Sequence, residues 1–219
     1  MFIGHFAPAF LAAAASPRSP RLGTLFVAAQ LVDWGFFTLA TIGVEAMRVD
    51  PAASVMNPMD LYHMPYTHSL LGSAVFGALF AALIWMASRN RTAALIGFAA
   101  VISHWLLDLL VHVPDLTITG QPPKLGLGLW NHPSIEMPLE IAITISALWL
   151  YARATGGLRL SIAVLAAILL ILQAINWFGP VATIVDATTT WLAWFAYGTA
   201  TLAAWWAARP VSARPSGTV

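Results

Sequence analysis

The chain has 219 residues, of which 59% are hydrophobic and only 9% are charged. Soluble domains carry about 25% charged residues, so this composition excludes an ordinary soluble fold and indicates a protein of the lipid bilayer. The net charge of +1 argues against nucleic acid as a partner, and the absence of cysteine means that any metal must be held by imidazole and carboxylate groups.

Seven apolar segments are candidates for membrane helices, because a bilayer core about 30 Å thick needs roughly 20 apolar residues per helix. In chain order they cover residues 2–16, 22–44, 67–87, 93–113, 134–153, 159–179 and 183–208. The first is short and is expected to be re-entrant or tilted into the bundle. We therefore expect an all-α polytopic membrane bundle of six to seven helices, with one domain over residues 1–208 and a disordered cytoplasmic tail at 209–219.

The basic residues predict how these helices cross the membrane. Of the ten, only Arg48 and Lys124 lie in the long connections 45–66 and 114–133, and the others lie on the opposite side. Cytoplasmic loops carry the excess of arginine and lysine. The pattern predicts an N-terminus outside, a C-terminus in the cytoplasm and both long connections outside.

Ionisable side chains interrupt the apolar segments, and on this topology nearly all of them fall in the outer half of the bundle. Such side chains are costly at membrane depth and usually face an interior cavity where they have a function. The group consists of His5, Asp33, His63, His68, His104, Asp108, His112, His132, Glu136 and Glu140. Their convergence predicts a polar metal site.

The sharpest local pattern is His104-x-x-x-Asp108-x-x-x-His112 in the fourth segment. At 100° per residue, these three side chains lie within about 80° of one another on one helical face. Asp115 would share that face, although Pro114 is expected to end the helix first. A histidine and an aspartate one turn apart can bind the same cation, or the carboxylate can orient a ligand imidazole. A buried His–Asp hydrogen bond between two helices is the alternative interpretation.

A second pair of histidines precedes the third segment, in His63-Met64-Pro65-Tyr66-Thr67-His68-Ser69. Thr67 is a candidate N-cap, which would place His68 in the first helical turn and point it into the bundle. We therefore predict His68 as a metal ligand. His63 fits an interfacial loop better.

Three carboxylates complete the candidate set. His132 and Glu136 repeat the one-turn spacing from histidine to acid at the start of the fifth segment, and Glu140 lies a turn deeper. Glu136 also suits a helix N-terminus electrostatically, which does not explain Glu140. Asp33 lies in the middle of the second segment, where an unpaired carboxylate costs roughly 2.5–3.5 kcal/mol. Pairing with a cation, or protonation, would offset that cost.

These motifs resemble those of bacterial integral-membrane proteins described as membrane-bound metal-dependent hydrolases. The resemblance spans about residues 3–155 and includes the connecting stretches 22–26 and 126–131. It is carried by His5, Asp33, His63-x-x-x-Thr67-His68-Ser69 and His104-x-x-x-Asp108. The resemblance implies a hydrolase of the bacterial inner membrane.

A more distant similarity is to zinc-dependent phospholipase C, whose ligands come in the order His, Asp, His, His-x-x-x-Asp, His, His-x-x-x-Glu. The same order is found here in His5, Asp33, His68, His104-x-x-x-Asp108, His112 and His132-x-x-x-Glu136. The similarity implies one to three divalent ions, zinc in first place and manganese as the alternative. It also implies a lipid or amphiphilic phosphoester as substrate.

In this interpretation, His68, His104 and Asp108 bind one metal, and Asp33 is a further or bridging ligand. A second position would be completed by His5, His112, His132 and Glu136. Glu136 or Glu140 would act as general base toward a metal-activated water.

Two other functions use the same residues. The first is a transporter that relays protons or metal ions, for which a polar path toward the cytoplasmic half would be evidence. The second is a non-catalytic scaffold with a structural metal, for which a closed site of four protein ligands would be evidence. The oligomeric state is left open.

Overall fold

The computed structural model describes residues 1–180 and 183–208. Its α-helices are α1 (Ala7–Ala15), α2 (Leu22–Ala29), α3 (Leu31–Thr41), α4 (Leu70–Ser88), α5 (Arg91–Val111), α6 (Pro133–Ala154), α7 (Leu160–Phe178) and α8 (Ala187–Ala207). Two short strands, β1 (Ala46–Val49) and β2 (Met59–His63), form an antiparallel hairpin, and single 3-10 turns cover Ile3–Phe6 and Leu129–Asn131. The all-α class is confirmed, with this small sheet as an unpredicted addition. The tail predicted at 209–219 lies outside the described residues.

Fewer helices qualify as membrane spans than the predicted six to seven. In the described part of the chain, four are long and apolar enough, namely α4, α5, α6 and α7. The predicted single span over residues 22–44 is instead the pair α2 and α3, bent by 49° at Gln30, which makes a fifth span if it is counted as one. The long apolar helices indicate a membrane protein.

The two remaining predicted spans fall short for different reasons. α8 has the length, but its threonines and tryptophans keep its hydropathy below that of the four spans. The N-terminal apolar segment Ile3–Ala15 reaches only about 20 Å at 1.5 Å per residue, which is shorter than a bilayer core.

This N-terminal segment runs through the interior of the bundle. Phe6 and Phe10 are fully buried. The Phe6 ring stacks on Phe26 of α2 with centroids 4.2 Å apart, and the Phe10 ring lies 5.8 Å from Tyr151 of α6. Burial of such rings is a large part of core stability. The packing therefore holds His5, which precedes Phe6, at a fixed place in the core.

The arginine-rich loops and the predicted ligands lie at opposite ends of the bundle. α5 begins at Arg91 and reaches His104 about 20 Å farther along its axis. Asn90 donates a hydrogen bond to the Arg18 carbonyl at 3.4 Å, and Arg159 donates to the Ala207 carbonyl at 3.2 Å. These contacts join the basic loops at one end.

The two long connections cover the other end, where they bond to each other and to helix termini. The Met56 N–H donates to the Trp130 carbonyl at 3.1 Å, and the Leu71 N–H at the start of α4 donates to the Ile118 carbonyl at 2.9 Å. The Leu127 N–H donates to the Leu109 carbonyl of α5 at 2.8 Å. The connections thereby enclose the predicted ligands.

Candidate metal centre

Six of the predicted ligands come together in one place, which we call the metal cluster: His5, Asp33, His68, His104, Asp108 and His112. All except Asp33 are at most 3% exposed. They are supplied by the 3-10 turn Ile3–Phe6, by α3, by the residue pair before α4, and by α5 with the residue that follows it. Two groups within this cluster have the ligand-atom spacing that could hold a metal ion, His5 with His104 and Asp108, and Asp33 with His68 and His104.

Asp108 is the centre of the cluster, and its two oxygens face different histidines. Oδ2 lies 3.0 Å from His104 Nε2 and 3.6 Å from His68 Nε2. Oδ1 lies 3.0 Å from His5 Nε2 and 3.4 Å from His112 Nε2. Two ligands that bind one ion at 2.0–2.2 Å lie about 3–3.5 Å apart, so these separations suit shared cations.

Asp33 approaches the same atoms from the opposite side. Its Oδ1 lies 3.4 Å from both His68 Nε2 and His104 Nε2. Its Oδ2 accepts hydrogen bonds from Gln30 Nε2 at 2.7 Å and from the Tyr197 hydroxyl at 3.1 Å. One oxygen is therefore anchored by the protein, and the other is directed at the two imidazoles.

The bend at Gln30 determines where Asp33 lies. The bend puts Asp33 in the first turn of α3, where the helix N-terminus favours a negative charge. The carbonyl of Ala29, just before the bend, accepts a hydrogen bond from His104 Nδ1 at 2.7 Å. A side chain that inserts at a helix carbonyl is one established cause of a kink.

Outer acceptors determine which ring nitrogen of two histidines faces the centre. His104 Nδ1 bonds to the Ala29 carbonyl, and His112 Nδ1 bonds to Asp115 Oδ1 at 2.9 Å. Carbonyl and carboxylate oxygens can only accept, so Nδ1 carries the proton in both rings. In the neutral rings, the lone pair of Nε2 then points toward Asp108, as in metal sites where a protein acceptor orients a ligand imidazole.

The charge around His112 also favours a cation. His112 follows the last residue of α5, and its burial disfavours the charged imidazolium. The neighbouring carboxylates of Asp108 and Asp115 outweigh this burial and raise the pKa of His112 to about 9. The same two negative charges would favour a metal ion at this position.

Several buried polar atoms in the cluster lack a conventional partner. Neither His104 Nε2 nor Asp108 Oδ2 has a hydrogen-bond partner among the described residues, although the two atoms are 3.0 Å apart. The same holds for both ring nitrogens of His5, whose ring stacks on His104 with centroids 3.9 Å apart. An unsatisfied buried polar group costs about 1–3 kcal/mol, so a group of them needs an explanation, and a cation is one.

Two further histidines, of which only His132 was predicted as a metal ligand, lie outside the cluster. His132 immediately precedes Pro133 of α6 and is exposed, and it belongs to neither group with metal-ligand spacing in the described part of the chain. His63 ends β2 opposite Ala46 and is exposed as well. The expected capping by Thr67 was wrong, because the Ser69 side chain caps α4 and accepts the Gly72 N–H at 3.0 Å. His68 therefore precedes the helix and does not lie in its first turn.

The Glu140 carboxylate is hydrogen-bonded to the N-terminal segment. Its Oε1 accepts the N–H groups of Phe2 at 2.6 Å and Gly4 at 2.9 Å, and its Oε2 accepts Gln173 Nε2 at 2.9 Å. Gln173 in turn accepts the Ile3 N–H at 3.3 Å. We call this group the N-terminal clamp. Its contacts favour a positioning role for Glu140 over the predicted role as base, because both oxygens already accept hydrogen bonds.

A cavity of about 510 Å³ lies beside the cluster. Asp33, His68, Asp108, His112, Glu136 and Glu140 line its polar end. Its other walls are mainly apolar and come from α3, α7, α8 and the β-hairpin, and they include Phe36, Phe37, Leu172, Ile175, Leu192 and Phe195. The volume falls in the range of small-molecule sites.

The apolar end of the cavity reaches the surface of the bundle. Ile175, Leu192 and Phe195 line the cavity and are nevertheless 60%, 64% and 68% exposed. In a membrane-embedded bundle such a surface meets lipid chains.

No family model, curated protein or solved structure matches this chain. What the cluster can do is therefore judged from its own geometry. Sequence reasoning missed Tyr197, which is one of several aromatic residues in α8, and Glu45, which is an acid in a loop without periodicity.

Proposed function

We propose that this protein is a membrane-embedded, metal-dependent hydrolase that cleaves a phosphoester with an apolar portion. The observation that carries the proposal is access, since Asp33, His68, Asp108 and His112 line the cavity directly. Catalytic metal sites keep a position open for water or substrate, whereas structural sites are closed by protein ligands. This access favours an enzyme over a scaffold.

We assign the ligand atoms to two positions that would share Asp108. Asp33 Oδ1, His68 Nε2, His104 Nε2 and Asp108 Oδ2 would hold one ion. His5 Nε2 and Asp108 Oδ1 would hold a second, with His112 Nε2 as a further ligand 3.4 Å from that oxygen. Imidazole and carboxylate ligands suit zinc, with manganese as the alternative. His132 has no part in this assignment.

A divalent ion bound there would supply Lewis acidity, acidifying a water and polarising a phosphoryl oxygen. The general base that we assign is Glu136, which lines the cavity and is 1% exposed. Its Oε2 has no hydrogen-bond partner within the described ranges, so it is available to take a proton from the attacking water. Asp33 is anchored by Gln30 and Tyr197 through one oxygen and faces Nε2 of His68 and His104 with the other.

The shape of the cavity supports an amphiphilic substrate. A phosphoester group would lie at the polar end beside Asp108, and its apolar portion would extend between α7 and α8 toward Ile175 and Phe195. With the basic loops in the cytoplasm, the cluster would face the outer half of a bacterial inner membrane.

The packing beneath the cluster supports the hydrolase over the transporter. Toward the arginine-rich end, the next layer contains Phe6, Phe26 and Val101, all with no exposed surface. A proton or metal path would need polar groups there.

The test is hydrolysis by the purified, zinc- or manganese-loaded protein of alkyl 4-nitrophenyl phosphate diesters with methyl, octyl and hexadecyl chains. We expect turnover that depends on the metal and increases with chain length. Glu136→Gln should lower turnover by about 10²–10⁴-fold while it keeps the metal. Asp60→Asn, which also replaces a carboxylate by an amide but lies outside the cavity lining, is the matched control. A metal-loaded protein that cleaves none of the diesters would contradict the proposal.

A further inference from the structure

The Nδ1 atom of His68 has a hydrogen-bond partner outside the metal cluster, which we call its outer partner. For His68 this partner is of an unusual kind, a threonine hydroxyl. His68 Nδ1 lies 2.9 Å from Thr67 Oγ1, and Thr67 Oγ1 donates its own hydrogen bond to Glu45 Oε2 at 2.6 Å. A hydroxyl has one proton to donate. Because Thr67 gives that proton to the carboxylate, it can only accept from His68, so Nδ1 of His68 carries the ring proton. The lone pair of Nε2 is then directed at Asp33 and Asp108.

The Glu45 carboxylate is held in an orientation that keeps the Thr67 hydroxyl donating to it. The residue is 1% exposed, between α3 and β1. Its other oxygen, Oε1, accepts the N–H groups of Tyr66 and Thr67, both at 2.9 Å. Two donors facing Oε1 fix the orientation of the carboxylate, and Oε2 is left for the Thr67 hydroxyl.

We infer that Glu45 is a positioning residue that acts through Thr67 to keep the His68 proton on Nδ1, and thereby makes His68 a metal ligand. The inference rests on the proposed metal site. It assigns to the Glu45–Thr67 pair the task that the Ala29 carbonyl performs for His104 and Asp115 performs for His112. Loss of such an outer partner typically costs about 10–100-fold in metal affinity.

One substitution separates this role from a purely structural one. In Glu45→Gln, the amide oxygen would still accept the N–H groups of Tyr66 and Thr67, so the amide NH₂ would face the Thr67 hydroxyl. Thr67 would then accept from Gln and donate to His68 Nδ1. The His68 proton would move to Nε2 and block the lone pair that faces the cluster. A structural role predicts no such change, because the backbone contacts are kept.

The experiment measures the tautomer and the metal affinity separately, on full-length protein in detergent micelles. The ¹⁵N chemical shifts of ¹⁵N-histidine-labelled protein without metal report the tautomer, with His68 assigned by the resonances lost in His68→Gln. Co²⁺ titration, followed by visible absorption, reports the affinity. The variants are Glu45→Gln, Thr67→Val and Thr67→Ser. The control is Asp60→Asn, which removes a hairpin carboxylate that pairs with Arg48 outside the cluster.

We expect Glu45→Gln to move the His68 proton to Nε2 and, like Thr67→Val, to weaken Co²⁺ binding about 10–100-fold. Thr67→Ser and Asp60→Asn should match the wild type. An unchanged tautomer and affinity in Glu45→Gln, or equal affinities in Thr67→Val and Thr67→Ser, would overturn the inference and leave the metal site intact. A wild type that binds no Co²⁺ would overturn the proposed metal site, and the shifts would still show whether Glu45 sets the tautomer.

Discussion

Asp108 and Glu140 are both buried carboxylates with 1% exposure, and their surroundings differ completely. Glu140, in the N-terminal clamp, accepts three hydrogen bonds from N–H donors of the protein. Asp108, in the metal cluster, is faced by imidazole nitrogens of four histidines, and its Oδ2 has no hydrogen-bond donor in the described part of the chain. Burial and charge therefore do not identify a metal ligand; the kind of partner does.

The two regions also differ in what stabilises them. The clamp is complete as a hydrogen-bonded unit, because each oxygen of Glu140 has its donor. The two carboxylates of the cluster face the Nε2 atoms of imidazoles. The N-terminal amino group of Met1, 3.5 Å from Asp108 Oδ1, supplies one positive charge beside them, and protons or a metal ion would supply the rest. The clamp should survive metal removal, whereas the cluster should not keep its arrangement.

The largest effect should come from His104→Ala, which removes a ligand that faces both Asp33 and Asp108. We expect hydrolysis to be abolished and metal affinity to fall by more than about 100-fold, beyond the usual effect of losing an outer partner. Isothermal titration with zinc measures the affinity. His132→Ala, which removes an exposed histidine of the same chain, should bind as the wild type does.

Glu136→Gln should separate catalysis from metal binding. If Glu136 is the general base, kcat should fall by about 10²–10⁴-fold, the usual contribution of such a group. Zinc content should stay at the wild-type value, since Glu136 lies outside the metal cluster as we assign it. Steady-state kinetics and elemental analysis of one preparation test both points. A loss of metal in the variant would indicate that Glu136 is a metal ligand and not only the general base.

Glu140→Gln tests the clamp side of the comparison. The amide can accept from Phe2 and Gly4 but cannot accept the Gln173 NH₂ group, so one buried donor loses its partner. We expect the free energy of unfolding to fall by about 1–3 kcal/mol. Denaturant unfolding in mixed micelles gives the value. Loss of all bound metal, without loss of stability, would indicate that Glu140 is a metal ligand and belongs to the metal cluster.

The smallest effect should come from Tyr197→Phe, which removes one of the two donors to Asp33 Oδ2. Gln30 still anchors that oxygen, so we expect metal affinity to fall by about tenfold, the lower limit for an outer partner. Zinc competition with a chromogenic chelator can resolve this change. A loss as large as that of His104→Ala would show that Asp33 depends on Tyr197 for its position.

The sequence predicted the part of the cluster that one helix determines. His104 and Asp108 share a face of α5 because the helical repeat puts them there, and His112, directly after the helix, stays 3.4 Å from Asp108 Oδ1. The long apolar runs likewise predicted α4 to α7 within a few residues. Both are local properties of the chain.

What the sequence missed depends on contacts between distant segments. The break between α2 and α3 at Gln30 accompanies the hydrogen bond from His104 to the Ala29 carbonyl, 75 positions away in the chain. The hydrophobic periodicity of the sequence does not predict this break. His132 has the predicted spacing to Glu136 but lies at the surface, because it precedes the helix that buries Glu136. Glu45 lies in a loop, and only the folded hairpin brings it to Thr67.

The most direct test is the metal content of detergent-purified wild type, Asp108→Asn and Glu140→Gln, determined by elemental analysis after incubation with zinc and removal of excess metal. Each substitution removes one buried negative charge, so charge and burial alone predict similar losses. We predict at least one equivalent in the wild type, none in Asp108→Asn, and at least one equivalent in Glu140→Gln. A metal-free wild type, or Asp108→Asn with wild-type metal content, would contradict the assignment of Asp108 as the shared ligand of a metal centre.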